Sequence, residues 1–139
     1  MSTLDEVLVG GVPAQVVDPG RPWLAVCRVD DLAPERGAAA LVDGEQVALF
    51  RLLDGSVRAV GNLDPFSGVQ VLARGIVGTR DGSPMVASPL YKQHFDLRTG
   101  RCLEQPGTRV PVHAVRLVEG TVLLALAPVT AGEVLTGDG

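Results

Sequence analysis

The sequence is poor in aromatic residues, in cysteine and in clusters of positive charge. Its 139 residues include one Trp, one Tyr, three Phe and two Cys, and the formal net charge is −4. Lysine and arginine are scattered singly, which excludes a broad nucleic-acid surface, because a phosphate backbone requires clustered positive charge. Cys27 and Cys102 are far apart and lie in no pairing motif. This spacing favours free thiols over a disulfide or a metal site.

Long apolar runs and export signals are also lacking. The longest late apolar run, 122–127, ends at Pro128, well short of the ~20 residues that a membrane helix requires. The first residues include Asp5 and Glu6 at positions where a secretory signal carries basic residues. We therefore expect a cytoplasmic protein that binds neither membranes nor nucleic acid.

Glycine and proline, in contrast, are plentiful, with 17 Gly and 10 Pro. Such a composition predicts many short elements joined by turns, and it argues against a helical bundle. The length is typical of one domain. We predict an N-terminal arm over 1–22, a single domain over 23–128 and a C-terminal tail over 129–139.

Apolar runs separated by turn residues predict antiparallel hairpins. Asp43-Gly44 and Asp54-Gly55 stand between apolar runs, and Asp-Gly is a pair that type I′ turns favour. Further turns are predicted at 80–84, at Thr99-Gly100 and at Glu119-Gly120, and the polar connection at 31–36 has room for one helical turn. The predicted strands are 23–28, 38–42, 46–53, 57–60, 76–79, 85–88, 94–97, 102–103, 112–118 and 121–127. The fold class predicted is a small antiparallel all-β domain.

Residues that bind metals or act as nucleophiles are few and scattered. A zinc or two-iron site needs about four ligands, usually in local pairs such as Cys-x-x-Cys. Cys27, Cys102, His94 and His113 show no such pairing, so the cysteines are interpreted as core residues and His113 as a framework residue. Neither Cys102 nor Ser88 has a recognisable partner base. We predict no catalytic, cofactor-binding or metal-binding residue on this chain.

Two segments between predicted strands combine proline with aromatic and small polar residues. They are Asp64-Pro65-Phe66-Ser67-Gly68 and Ser88-Pro89-Leu90-Tyr91, and the second is soon followed by Phe95-Asp96. They resemble the two cluster-binding loops of Rieske iron–sulfur domains, Cys-Pro-His-x-Gly and Cys-Pro-x-His with a following Phe-Asp. The resemblance implies a small antiparallel Rieske-like (ISP-type) β-sandwich or barrel with long loops.

All four cluster ligands of the Rieske pattern are replaced in this sequence. Two cysteines and two histidines hold the two-iron cluster of a Rieske domain. Asp64 and Ser88 stand at the cysteine positions, and Phe66 and Tyr91 stand at the histidine positions. Since a void costs stability, we expect the two rings to fill the space of the cluster. We expect Asp64 and Ser88 to accept hydrogen bonds from loop amides.

The segment Ser88-Pro89-Leu90-Tyr91-Lys92-Gln93-His94-Phe95-Asp96, together with 64–68 and 74–78, resembles the small subunit of assimilatory NAD(P)H-dependent nitrite reductases. The resemblance extends over about 23–127. It implies a subunit without cofactors of its own, which docks on a large subunit. That large subunit would carry sirohaem, a [4Fe–4S] cluster and FAD, and would reduce nitrite to ammonium with electrons from NAD(P)H.

The docking surface is expected at the tip formed by the two loops. A tyrosine beside a cation is a combination that protein interfaces favour, and Tyr91 is followed by Lys92. The candidate partner-binding residues are Tyr91, Lys92, Gln93, His94, Arg74 and Arg80.

Three other interpretations stay open at the level of sequence. A Rieske-type [2Fe–2S] ferredoxin-like electron carrier shares the fold but needs the four ligands, so an iron assay separates it. A stand-alone β-domain binding module would capture some partner other than a sirohaem protein. An enzyme that uses Cys102 or His94 directly would lose its activity on thiol alkylation.

Overall fold

The computed structural model describes residues 23–127, which form eleven short β-strands and almost no helix. The predicted arm, 1–22, and the predicted tail, 129–139, lie outside the described residues. Two short 3-10 helices, Val29–Asp31 and Leu72–Arg74, interrupt the strands, and the first of them begins before the helical turn predicted at 31–36. None of the helices described over 23–127 has the length and apolar character that crossing a membrane requires. The strands are β1 Leu24–Arg28, β2 Gly37–Val42, β3 Glu45–Arg51, β4 Val57–Gly61, β5 Leu63–Asp64, β6 Val69–Gln70, β7 Ile76–Arg80, β8 Ser83–Ala87, β9 His94–Asp96, β10 Val112–Val118 and β11 Thr121–Ala125.

Six strands form one antiparallel sheet in the order β1-β11-β10-β4-β3-β2, and β7-β8-β9 form a second, three-stranded sheet. Strand β3 is buried on both faces, because its side chains alternate between two apolar cores. Ala48 and Phe50 face a core that includes Phe95 of the small sheet. Val47 and Leu49 face a core shared with β1 and β11. The small sheet is therefore fixed against the large one, and the predicted antiparallel all-β class is confirmed.

Two-residue turns join three of the hairpins. In each turn both residues have positive φ, which is the type I′ geometry; the turns are Asp43-Gly44, Asp81-Gly82 and Glu119-Gly120. The Asp54-Gly55 turn differs from this prediction, because the five residues 52–56 connect β3 to β4. There Gly55 alone has positive φ, and the Leu52 N–H donates to the Ser56 carbonyl at 2.8 Å.

His113 of β10 is a buried framework residue, as the sequence predicts. Its side chain is 5% exposed, and its Nδ1 accepts a hydrogen bond from the Ala127 N–H at 2.9 Å. Burial lowers the pKa of His113 to about 4. The imidazole is therefore neutral in the folded protein at pH 7.

We expect the free energy of unfolding to decrease as the pH is lowered from about 6.5 to about 4, the interval between the unfolded and folded pKa values of His113. The unfolded state takes up a proton in this interval and the folded state does not. This difference lowers the free energy of unfolding by about 3 kcal/mol at pH 4 and has no effect above pH 7. Urea unfolding of the wild type and of His113→Gln at a series of pH values measures the effect. Parallel pH profiles for the two proteins would contradict the assignment.

Candidate functional site

The two proline-containing loops meet at a buried hydrogen bond. Asp64 ends β5 and Ser88 directly follows β8, and both side chains are fully buried. The Ser88 hydroxyl donates to Asp64 Oδ2 at 2.6 Å. These are the two positions at which the Rieske pattern has cysteines, so a direct hydrogen bond links the loops where a cluster would otherwise link them.

Each of the two side chains also closes the turn in its own loop. Asp64 Oδ1 accepts from the Phe66 N–H at 2.8 Å, and the Ser88 hydroxyl oxygen accepts from the Leu90 N–H at 3.2 Å. Aspartate and serine favour such bonds to the amide two residues ahead. The expected hydrogen bonds to loop amides are present at both positions.

The two aromatic residues at the histidine positions behave differently. Phe66 packs against the core, with its ring centroid 6.2 Å from that of the fully buried Phe95. Tyr91 is 58% exposed, so the expectation that it fills the space of a cluster is wrong. Asp64 and Ser88 already contact each other directly, and the loop turns back at Lys92, which has positive φ, so Tyr91 lies at the outer end of the loop.

Exposed apolar residues adjoin Asp64 and Ser88 along the chain and across the β5-β6 hairpin. Leu63 precedes Asp64, Val69 pairs with Asp64 across the β5-β6 hairpin, and Leu90 and Tyr91 follow Ser88. All four side chains are at least 43% exposed. A group of large exposed apolar residues is typical of an interaction site. We call Leu63, Val69, Leu90, Tyr91 and Lys92 the loop tip.

The loop 88–93 carries three of the predicted partner-binding residues in a fixed conformation. The Lys92 N–H donates to the Ser88 carbonyl at 3.0 Å, and the Ser88 N–H donates to the Gln93 carbonyl at 2.9 Å. These two bonds close the loop and leave Tyr91 and Lys92 exposed, whereas Gln93 is half-buried.

His94 is fixed by Glu104, a residue that the sequence analysis missed. The two oxygens of Glu104 accept from the His94 N–H at 2.9 Å and contact His94 Nδ1 at 2.7 Å. Burial acts to raise the pKa of Glu104, but the hydrogen bonds from His94 outweigh it and the pKa is lowered. Glu104 lies in an irregular segment without a recognisable motif, so no sequence signal pointed to this contact.

Of the two predicted arginines, Arg74 precedes β7 and Arg80 is its last residue. Arg74 ends the second 3-10 helix, and Arg80 pairs with Ser83 at the far end of the β7-β8 hairpin. Ile76, at the near end of β7, pairs with Ala87, which immediately precedes Ser88. Arg80 is thus four residues, or about 13 Å, further along the strand than Ile76. The structure groups Tyr91, Lys92, Gln93 and His94, but it does not bring Arg80 to the loop tip.

The remaining candidate residues do not form a reactive centre. Residues 23–127 contain no group of three or more His, Cys, Asp or Glu side chains arranged to hold a metal ion. Burial, with a contribution from Asp31, raises the pKa of Cys27 to about 11, and burial also raises the pKa of Cys102. Both thiols are therefore protonated at neutral pH, whereas a reactive cysteine needs its thiolate.

Known proteins are similar to this chain in sequence and in fold. A family model described as Rieske-like [2Fe-2S] domain matches residues 22–125. The nitrite reductase (NADH) small subunit of Escherichia coli K12 is 42% identical over 103 residues, which are 73% of this chain and 95% of that protein. The solution structure of the E. coli protein NirD has a TM-score of 0.72 and 39% identity, over 78% of this chain and 99% of the other.

A further relative is much longer than this chain. The nitrite reductase [NAD(P)H] large subunit of Klebsiella oxytoca is 41% identical over 104 residues, which are 75% of this chain but 11% of that protein. In Klebsiella oxytoca, a domain similar to this chain is thus part of the same polypeptide as the large subunit.

Proposed function

The chain belongs to the family of the Rieske-like [2Fe-2S] domain, in the branch of the nitrite reductase small subunits, and from this membership we propose that it is the small subunit of an NAD(P)H-dependent nitrite reductase. The complex is an oxidoreductase that reduces nitrite to ammonium. The observation that carries the proposal is the 42% identity over 95% of the E. coli small subunit.

The residues at the four ligand positions do not fit a [2Fe–2S] cluster. Phe66 and Tyr91 have no nitrogen ligand in their rings, and Asp64 and Ser88 offer no sulfur. The oxygens of Asp64 and Ser88 are also engaged in hydrogen bonds with each other and with loop amides. We therefore derive no electron-transfer step through this domain. Sirohaem, [4Fe–4S] and FAD, which accept electrons from NAD(P)H and deliver them to nitrite, are assigned to the large subunit.

The partner is the large subunit of the same enzyme. The Klebsiella oxytoca relative supports this pairing, because there a domain like this chain is joined covalently to a large subunit. Such a linkage keeps two interacting parts at a high effective concentration. A small chain that is not covalently joined to the large subunit must bind it through a docking surface.

The docking surface that we propose includes the loop tip. Exposed Tyr91 and Lys92 supply an aromatic ring and a positive charge, and the hydrogen bonds around Ser88 and Glu104 hold the loop in one conformation. A preorganised loop loses little conformational entropy on binding. Of the other candidate residues, Gln93 and His94 adjoin this loop, and Arg74 and Arg80 extend the surface along β7.

We expect NAD(P)H-dependent nitrite reduction by the purified large subunit to increase when this chain is added, and to saturate at a fixed molar ratio. The rate of NAD(P)H oxidation with nitrite gives the activity, and size-exclusion chromatography gives the ratio in the complex. A large subunit that is equally active alone and forms no complex would refute the proposed function. That result would favour a stand-alone binding module with the same fold.

A further inference from the structure

Strand β7 is the open edge of the three-stranded sheet. In the sheet order β7-β8-β9, β7 pairs with β8 on one side and has no strand partner on its other side among residues 23–127. The opposite edge, at β9, is covered, because Phe95 forms a bridge with Cys102 and the Leu103 N–H donates to the His94 carbonyl at 2.8 Å. In the part of the chain that the structure describes, β7 is therefore the edge of this sheet at which a further strand can be added.

The turn between β7 and β8 fixes which backbone groups point to the open edge. Asp81-Gly82 is a two-residue turn with positive φ at both positions, so the flanking pair of Arg80 and Ser83 is hydrogen-bonded. Hydrogen-bonded and non-hydrogen-bonded pairs then alternate along an antiparallel hairpin. Thr79 and Val77 fall in the non-hydrogen-bonded pairs, so their N–H and C=O groups point away from β8.

The residue opposite Thr79 confirms this alternation. It is Pro84, which has no N–H, and its carbonyl accepts from the Leu97 N–H at 2.9 Å, on the side of β9. Pro84 therefore makes no backbone hydrogen bond to Thr79. Within residues 23–127, the two donors and two acceptors of Val77 and Thr79 are left without a partner and can pair with a strand added alongside β7.

An apolar groove lies on the face of the sheet beside this edge. Its volume is about 150 Å³, and its lining includes Ile76, Gly78, Met85, Ala87 and His94. Ile76 is 75% exposed. A Cβ placed on Gly78 would meet nothing within 4 Å, so the groove opens where a side chain is missing. Exposed edge strands with apolar surface are templates for pairing with another chain.

Two exposed arginines lie near the two ends of β7, and the exposed Asp81 follows the second of them. Arg74 precedes the strand and Arg80 ends it, and both are exposed. The ion pairs of the described part of the chain, His94 with Glu104 and Arg98 with Asp96, involve neither arginine. An acidic partner segment complements these two charges, and complementary charge increases the rate and specificity of association.

We propose that an extended, acidic segment of the large subunit adds as a strand to the open edge of β7. Its backbone pairs with Val77 and Thr79, one apolar side chain enters the groove at Gly78, and acidic side chains face Arg74 and Arg80. In this mode of recognition, backbone hydrogen bonds supply affinity and alternate side chains supply specificity. The inference rests on the proposed function and specifies a contact through which the two subunits bind each other. The near end of β7 lies opposite Ala87, which immediately precedes loop 88–93, so a strand added alongside β7 runs toward the loop tip.

The test is the dissociation constant between the full chain and the purified large subunit. Thr79→Pro removes one N–H group that points to the open edge and leaves the hydrogen bonds between β7 and β8 in place. Thr79→Val is the matched control, because it keeps this N–H group. Gly78→Val fills the groove at a position where a Cβ meets nothing. We expect Thr79→Pro, Gly78→Val and Arg80→Glu each to raise Kd at least about tenfold. Thr79→Val and the charge-reversal control Arg116→Glu, on β10, are expected to leave it within about twofold.

The outcomes separate the two levels of the proposal. If the wild-type chain binds the large subunit and the folded variants Thr79→Pro and Gly78→Val bind equally well, strand addition is wrong and the proposed function stands. A wild-type chain that does not bind at all would overturn both. Circular dichroism and thermal melting check each fold, and if Thr79→Pro is unfolded, Gly78→Val decides the matter on its own.

Discussion

Replacing Asp64 with alanine is expected to lower the free energy of unfolding by about 2–5 kcal/mol, because a buried hydroxyl and a partly buried amide lose their acceptor. The Ser88 hydroxyl and the Phe66 N–H both donate to this one carboxylate, which is fully buried. Each unsatisfied buried donor costs roughly 1–3 kcal/mol. That loss is a large part of the roughly 5–15 kcal/mol that stabilises a typical domain. Equilibrium urea unfolding at pH 7 measures it.

Two control variants separate this link from an ordinary turn contact. Asp54 accepts from the Ser56 N–H at 2.9 Å in the same local pattern, but it is exposed, so Asp54→Ala is expected to cost less than about 1 kcal/mol. Asp64→Asn keeps an acceptor for Phe66 and a polar group for Ser88, so its stability should lie between those of Asp64→Ala and the wild type. Equal destabilisation by Asp54→Ala and Asp64→Ala would show that the bond between the loops contributes nothing.

Much of the strand pattern could be predicted because the turns carry strong local signals. Asp43-Gly44, Asp81-Gly82 and Glu119-Gly120 all adopt the positive φ values that two-residue hairpins require. The β5-β6 hairpin was not predicted, since strands of two residues leave no periodicity to detect. Loop length was the source of the error at Asp54-Gly55, because a five-residue connection needs a different turn from a two-residue one.

The candidate site was predictable in its positions but not in its packing. The spacing of Pro65 and Pro89 located both loops, and the donors and acceptors of Asp64 and Ser88 indicated their hydrogen bonds to nearby amides. The bond between these two residues depends on how the loops approach each other, and local spacing does not encode that distance. For the same reason the exposure of Tyr91 was missed.

The open edge of β7 could not be predicted from the sequence either. Whether the outer side of Val77 and Thr79 is paired depends on the order of strands in the sheet, which nonlocal contacts decide. Gly78 is an ordinary strand glycine in the sequence, and it becomes informative only when the neighbouring strand places Met85 opposite it. Sheet order and register thus determine the features from which partner recognition is inferred.

Replacing Tyr91 with alanine is expected to weaken binding to the large subunit more than thirtyfold, which is about 2 kcal/mol and typical of an aromatic residue central to an interface. The ring is 58% exposed, so the fold should lose less than about 0.5 kcal/mol. Lys92→Glu is expected to slow association and to weaken its dependence on salt, because it replaces an exposed positive charge with a negative one. Both effects are measured by surface-immobilised binding kinetics at two ionic strengths.

The controls for these two variants separate the loss of a side-chain contact from a change in the backbone. Lys92 has a φ of 65°, and glutamate meets the same steric cost there as lysine, so Lys92→Glu changes charge without relieving backbone strain. Leu53→Ala removes an apolar side chain that is 79% exposed in the turn between β3 and β4, and we expect it to leave the affinity unchanged. If folded Tyr91→Ala and Lys92→Glu bind like Leu53→Ala, the loop tip does not contact the large subunit. In that case the partner would have to approach the domain through β7 alone.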